Sequence, residues 1–244
     1  ALAYATLHQL AAGPFGRGEL QVPQPLALLP GLGLLVYRHA PGVPLDGAAG
    51  VDALSGVRAA ARWLAQLHGS RVRLARSLDL AAEARSAREW AGVIADGEPG
   101  HALRAQRLGD GWSVAAAAAG VRTDVPIHKD FHAGHVLLGD ATTVIDLDEA
   151  RMGDPALDLA HFVTYLRFGQ PGRSGGLERA FRAEYAALTG EAVVEREFLF
   201  AAYAWLKIAK QLATGRGPSC PEPGPERSAA VAASLARGLR CLDR

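Results

Sequence analysis

Lysine is nearly absent from this chain. Of 244 residues only Lys129, Lys207 and Lys210 are lysine, and none precedes position 129. The 26 Lys and Arg meet 25 Asp and Glu for a net charge of +1, so no basic surplus argues for nucleic acid or an anionic membrane as partner. Cysteine is scarce as well. Cys220 and Cys241 do not make a disulfide framework and read as ordinary thiols in a reducing cytoplasm. There is no uncharged apolar run of about 18 residues, which speaks against a membrane span. The alanine tract Ala115–Ala119 is short and is soon followed by Arg122 and Asp124. No charged-then-apolar leader opens the chain. With 49% hydrophobic and 21% charged residues, the composition is that of a globular protein and excludes a disordered one.

What is present is mostly helical pattern, with strand signals early and again near the middle. Residues 2–12 read as a helix ended by Gly13-Pro14. Leu20–Leu29 contains Val22-Pro23-Gln24-Pro25 and is restricted to an edge or irregular strand. Leu34–Tyr37 reads as a short strand, and Ala40–Pro44 as a rigid connector. Helices are expected at 52–68, 79–95, 101–119, 155–167, 176–188, 194–213 and 225–242, with a proline-bearing loop around Pro218–Pro223 before the last. His68 lies on the apolar face of its helix and reads as a core histidine, and the four tryptophans read as packing residues.

Chemistry concentrates in Pro126–Phe162, where polar residues are held between short apolar strands. Val136–Leu138 and 143–147 read as a hairpin in which 138 pairs with 143 and 136 with 145. That register puts His135 opposite Asp146, roughly 4.5–5.5 Å apart between Cα atoms, so both side chains can reach one metal ion. Asp130 lies in the loop that leads into the hairpin. Asp154-Pro155 reads as a helix cap followed by proline, and Asp158 sits in the first turn, where a negative charge is favoured.

These residues carry a resemblance. His128-Lys129-Asp130-Phe131-His132-Ala133-Gly134-His135 resembles the catalytic loop H-G-D-x-H-x-x-N of the aminoglycoside phosphotransferase-like kinases. Ile145-Asp146-Leu147-Asp148 is similar to their metal motif, and Gly153–Ala160 to their G-D-P-x-x-D-L-A helix start. Leu34–Tyr37 with Pro41-Gly42 resembles their hinge, and Leu64–His68 their L-A-x-L-H helix. The resemblance implies an α+β, protein-kinase-like fold with a reduced N-terminal lobe of few strands, 1–39, and a mainly helical C-terminal lobe, 40–244, carrying the catalytic hairpin. It implies a kinase that moves the γ-phosphate of ATP or GTP to a hydroxyl of a small molecule. Asp130 would orient and deprotonate the acceptor hydroxyl. Asp146 and His135 would hold Mg²⁺, and the backbone at Arg38, His39 and Ala40 would receive the base. His128, Asp148, Asp154 and Asp158 would support the site, Asp158 by bracing the catalytic loop.

The departures from the pattern matter. His135 stands where the family has asparagine, and imidazole suits Mn²⁺ better than it suits Mg²⁺. The glycine-rich strand pair and phosphate-holding lysine of the family are not in this chain, which does not begin with Met. The expectation is an N-terminal piece that is missing here or supplied separately. Two other readings use the same residues. A binding module without turnover, a pseudokinase, would account for the lysine and asparagine changes. A metal-dependent hydrolase would use His128, Asp130, His132 and His135 as ligands. The last 80 or so residues mix Glu with many Arg, so a neutral or anionic hydroxylated acceptor is favoured over a polycation. The oligomeric state is not legible.

Overall fold

A computed structural model describes residues 2–47, 53–190, 194–216 and 220–244. Asp52 and Pro218, named above in a helix and a loop, lie outside the described residues. The chain divides into two compact units, one of residues 1–78 and 122–192, the other of 79–121 and 193–244.

The first unit is α+β. It opens with α1 (Leu2–Ala12), which turns at Gly13-Pro14 and buries Leu7 and Leu10. The segment 20–29 forms two strands, β1 (Leu20–Gln21) and β2 (Pro25–Leu29), because Val22-Pro23-Gln24 cannot continue a ladder. β2 pairs antiparallel with β3 (Leu34–Tyr37) in a two-stranded sheet. The connector after it contains a strand the sequence did not suggest, β4 (Val43–Pro44), paired with β6. α2 (Ala53–Gly69) buries Val57, Ala61, Leu64 and Leu67, the apolar stripe expected from the 3.6-residue period. After the chain re-enters this unit, β5 (Val125–Ile127) pairs with β8 (Arg151–Gly153), a second strand absent from the sequence reading. Gly153 is needed there, because a Cβ would stand 2.3 Å from Cδ1 of Ile127.

Between β5 and β8 lie β6 (Val136–Leu138) and β7 (Thr142–Val144), which form a four-stranded sheet in the order β1-β7-β6-β4. The hairpin exists, but its register differs from expectation by one residue. Val136 pairs with Val144 and Leu138 with Thr142, so the loop is Gly139–Ala141. β7 also ends at Val144 rather than 147, since Leu147–Glu149 turns into a 3-10 helix. The sequence misled because neither Val-Leu-Leu nor Thr-Thr-Val alternates between apolar and polar residues, and only alternation would pin the register. α5 (Pro155–Gly169) and α6 (Ser174–Thr189) complete the unit, α6 packing on α2.

The second unit is helical among the described residues: α3 (Leu80–Gly97), α4 (Ala102–Ala118), α7 (Val194–Ala213) and α8 (Pro225–Leu242). Asp79 caps α3 by accepting from the amides of Ala81 and Ala82. Tyr203 sits between Trp90 and Trp112, with ring centroids 4.8 and 4.6 Å away. Its hydroxyl donates to the buried Glu83 at 2.5 Å, and the Trp112 indole donates to the Leu199 carbonyl. Trp63 in the first unit and Trp112 and Trp205 here are 2% exposed or less, as packing residues should be. No described helix is long and apolar enough to cross a membrane.

Candidate active site

The loop 128–135 is held from below by buried groups. Asp158, in the first turn of α5, is fully buried and accepts from the backbone amides of His128 and Lys129, both at 2.7 Å. His68 Nε2 donates to the same carboxylate at 3.1 Å, while its Nδ1 meets the Tyr185 hydroxyl at 2.8 Å. The core histidine of the sequence reading is therefore a buried polar bridge between α2, α5 and α6. Three donors on one carboxylate replace the water that burial removed.

Asp154, also fully buried, caps α5 through the Ala156 amide and accepts the Arg122 amide with its other oxygen. The cap expected from Asp-Pro is present, and it also ties down the chain that leads into β5. Phe131 is buried beneath the loop and stacks on Trp63, which itself stacks on Phe15.

His128 is fully buried. Its Nε2 donates to the Ile145 carbonyl at 3.0 Å, and its Nδ1 accepts from the Asp130 amide at 3.3 Å. Burial pushes its pKa below the ordinary imidazole value of 6.5, partly opposed by Asp158. The neutral ring thus links the loop to the end of β7. Lys129 occupies the glycine position of the family pattern with φ of 72°, in the left-handed region that favours glycine. The strain is offset by the bond of its amide to Asp158 and an ion pair of its ammonium with Glu149 at 3.3 Å.

Above this floor lie the reactive groups. The Asp130 carboxylate is 27% exposed, and its Oδ1 lies 3.1 Å from Nε2 of His161. His135 Nδ1 donates to the Asp130 carbonyl at 2.9 Å, which leaves the lone pair of the neutral ring on Nε2. That nitrogen lies 3.3 Å from Oδ2 of Asp146. The expected juxtaposition is therefore present but is reached differently. In the observed register His135 lies beside Ile145, whose amide bonds to its carbonyl. Asp146 comes one residue later, and its left-handed backbone, φ 61°, turns the chain out of the strand and swings the carboxylate back. Asp148 is exposed, and its carbonyl accepts from Arg76.

The pair His135 and Asp146 could hold a divalent cation: Nε2 of the ring and Oδ2 of the carboxylate lie 3.3 Å apart and share one short bite. The wider set of Asp130, His132 and His135 brings ligand atoms within 4.8 Å of one another. However, His132 Nδ1 accepts the Gly134 amide at 3.1 Å, so its neutral ring carries the proton on Nε2. His128 is committed at both nitrogens. The cluster of the hydrolase reading thus presents fewer lone pairs than a tight zinc site uses.

A cavity of about 280 Å³ opens beside the hinge. Its walls are His8 and Ala12 of α1, the segment 21–25, the hinge Arg38–Pro41 and Thr143 of β7. Arg38, His39 and Ala40 therefore line a real recess. The Arg38 amide is engaged by the Gln24 carbonyl at 2.8 Å. The sequence reading missed His8 and Gln21 as wall residues and His161 as a neighbour of Asp130. His161 had one signal, a second polar group in the mostly apolar run ALDLAHFV, three residues after Asp158.

Comparisons with known proteins bear on the fold and the family. None of the curated proteins matches the chain in sequence. Among solved structures, choline kinase LicA from Streptococcus pneumoniae superposes with a TM-score of 0.67 at 15% identity, over 95% of this chain and 78% of that one. The type VIII aminoglycoside-3'-phosphotransferase gives 0.61 at 21% identity, over 84% of this chain and 77% of that one. Spectinomycin phosphotransferase APH(9)-Ia, solved with ADP and spectinomycin, gives 0.56 at 14% identity over 98% and 82%. At such identities the likeness establishes the fold, which is protein-kinase-like. The model of the phosphotransferase enzyme family, APH, matches residues 2–206, a span that contains the hinge, the loop 128–135 and the start of α5. The chain belongs to the phosphotransferase enzyme family.

Proposed function

We propose that this protein transfers the γ-phosphate of ATP or GTP to a hydroxyl of a small molecule, with Asp130 as the group that orients and deprotonates that hydroxyl. The observation that carries the reading is that His135 lies 3.3 Å from Asp146 and within 4.8 Å of Asp130, on a loop whose backbone is tied down by Asp158. Phosphoryl transfer asks for positioning and charge neutralisation more than for covalent chemistry. The acceptor oxygen bonds to the γ-phosphorus, the bond to the bridging oxygen breaks towards the nucleoside diphosphate, and the hydroxyl proton passes to Asp130. His135 and Asp146 would hold Mg²⁺ or, because imidazole is the softer ligand, Mn²⁺, which would supply charge neutralisation at the phosphates. The recess at the hinge would take the base, read by the amide groups of His39 and Ala40 and the carbonyl of Arg38. His128, Asp154 and Asp158 support the site through the hydrogen bonds described, and Asp148 stands at its exposed edge. Residues 1–39 are read as part of the first lobe, and the low cysteine content suits a cytoplasmic setting. The acceptor is a neutral or anionic hydroxylated compound such as a sugar or biosynthetic intermediate.

The experiment is ADP release from ATP over a panel of hydroxylated acceptors, for wild type and Asp130→Ala. The substitution should lower turnover by about 100-fold or more, with the melting temperature nearly unchanged. His135→Asn in the same assay should shift the preference from Mn²⁺ towards Mg²⁺. Turnover retained by Asp130→Ala would contradict the role of that carboxylate. Nucleotide and metal binding with no turnover on any acceptor would favour the pseudokinase reading.

A further inference from the structure

One buried histidine next to Asp130 has no part in the reading above. His161 is 3% exposed, in the second turn of α5. Its Nδ1 lies 3.1 Å from the Phe131 carbonyl, which can only accept, so that nitrogen carries a proton. Its Nε2 lies 3.1 Å from Oδ1 of Asp130. Its face stacks on Tyr165, with ring centroids 4.4 Å apart and planes 23° from parallel. A carbonyl, a carboxylate and an aromatic ring thus hold one imidazole.

The spacing explains the arrangement. Asp158 and His161 are separated by one helical turn and share a face of α5. Asp158 takes the amides of His128 and Lys129, before Asp130 in the chain. His161 takes the carbonyl of Phe131, after it, and the Asp130 carboxylate itself. One helix face therefore grips the loop on both sides of the reactive group.

We propose that His161 is a positioning residue: with a proton on each ring nitrogen it donates from Nδ1 to the Phe131 carbonyl and from Nε2 to Oδ1 of Asp130, and so directs Oδ2 at the acceptor hydroxyl. The proposal rests on the reading of Asp130 given above. The terminal torsion of an aspartate is broad and nearly two-fold. A carboxylate exposed by about a quarter would sample much of that range unless one oxygen were held. Fixing it before the substrate arrives removes an orientation cost from the chemical step.

The test needs no acceptor. In the full chain labelled with ¹⁵N-histidine, the His161 ring, assigned with His161→Gln, should show both nitrogens protonated at neutral pH. Asp130→Asn should move the Nε2 resonance of His161 and leave Nδ1 nearly in place. A neutral His161 ring, or an Nε2 resonance indifferent to Asp130→Asn, would overturn the proposal. In the ADP-release assay, His161→Phe keeps the stacked ring and loses both hydrogen bonds. It should lower kcat about 10- to 100-fold with the KM for ATP unchanged, and His161→Gln, which keeps a donor, should recover part of the loss. A wild-type kcat in His161→Phe, or an equal loss in both variants, would also overturn it. Turnover retained by Asp130→Ala would instead remove the reading of Asp130, while the NMR result still decides whether His161 holds that carboxylate.

Discussion

The loop 128–135 and the hairpin β2–β3 are both short stretches of non-helical chain in the same unit, and they are held by opposite means. The loop is polar, and its backbone groups are satisfied by side chains buried beneath it: Asp158, His128 and His161. The hairpin is apolar and only partly covered: α1 packs on β2 and half-buries Pro25, Ala27 and Leu28, while Leu26, Leu29, Leu34 and Val36 are each at least 38% exposed. A two-stranded ladder with so little cover is marginal in water. Buried hydrogen bonds to a charged group, by contrast, leave a large penalty when one partner is removed. In this protein, order is concentrated where charge must be aimed.

The sharpest way to break the comparison is Asp158→Ala. It leaves the His128 and Lys129 amides and the His68 ring without their acceptor in a dry site. It should destabilise the first unit by about 3–5 kcal/mol in urea unfolding. A loss under about 1 kcal/mol would show that the loop is held by something else.

A smaller effect should come from pH. His128 binds its proton more weakly when folded than when unfolded, because burial disfavours the charged ring. The unfolded chain therefore takes up a proton first as pH falls through about 6.5, and stability present above that value is lost below it. The stability difference between wild type and His128→Gln should shrink between pH 7.5 and 5.5, both values about one unit from the imidazole midpoint. A constant difference would mean that the buried ring does not titrate in that window.

The smallest effect belongs to the hairpin. Leu34→Thr, at a position 51% exposed, should change stability by about 0.5 kcal/mol or less. A loss comparable to that of Asp158→Ala would mean that the apolar hairpin face is covered in solution.

Much of this was legible in the chain itself. The 3.6-residue period located α2 and the later helices to within a few residues, because each buries one continuous stripe. Asp154-Pro155 marked the start of α5, since a cap and a proline act through their immediate neighbours. The motif residues 128–135 and 145–148 pointed to one site. Less legible were the strands β4 and β8, which are too short to show a period. The register of the hairpin was missed as well, because Val136–Leu138 and Thr142–Val144 carry no alternation that would set it.

The sequence by itself determined the helices, the polar cluster and the kinase-like kinship, all of which depend on local pattern or on residues close together in the chain. Tertiary structure alone decided that Asp146 meets His135 through a left-handed residue rather than through strand pairing. It also decided that His68 meets Asp158 beneath the loop and that His161 meets Asp130 within it. The reason is physical: a hydrogen bond depends on where two side chains arrive in space, and sequence spacing constrains that only within an element or across a paired ladder.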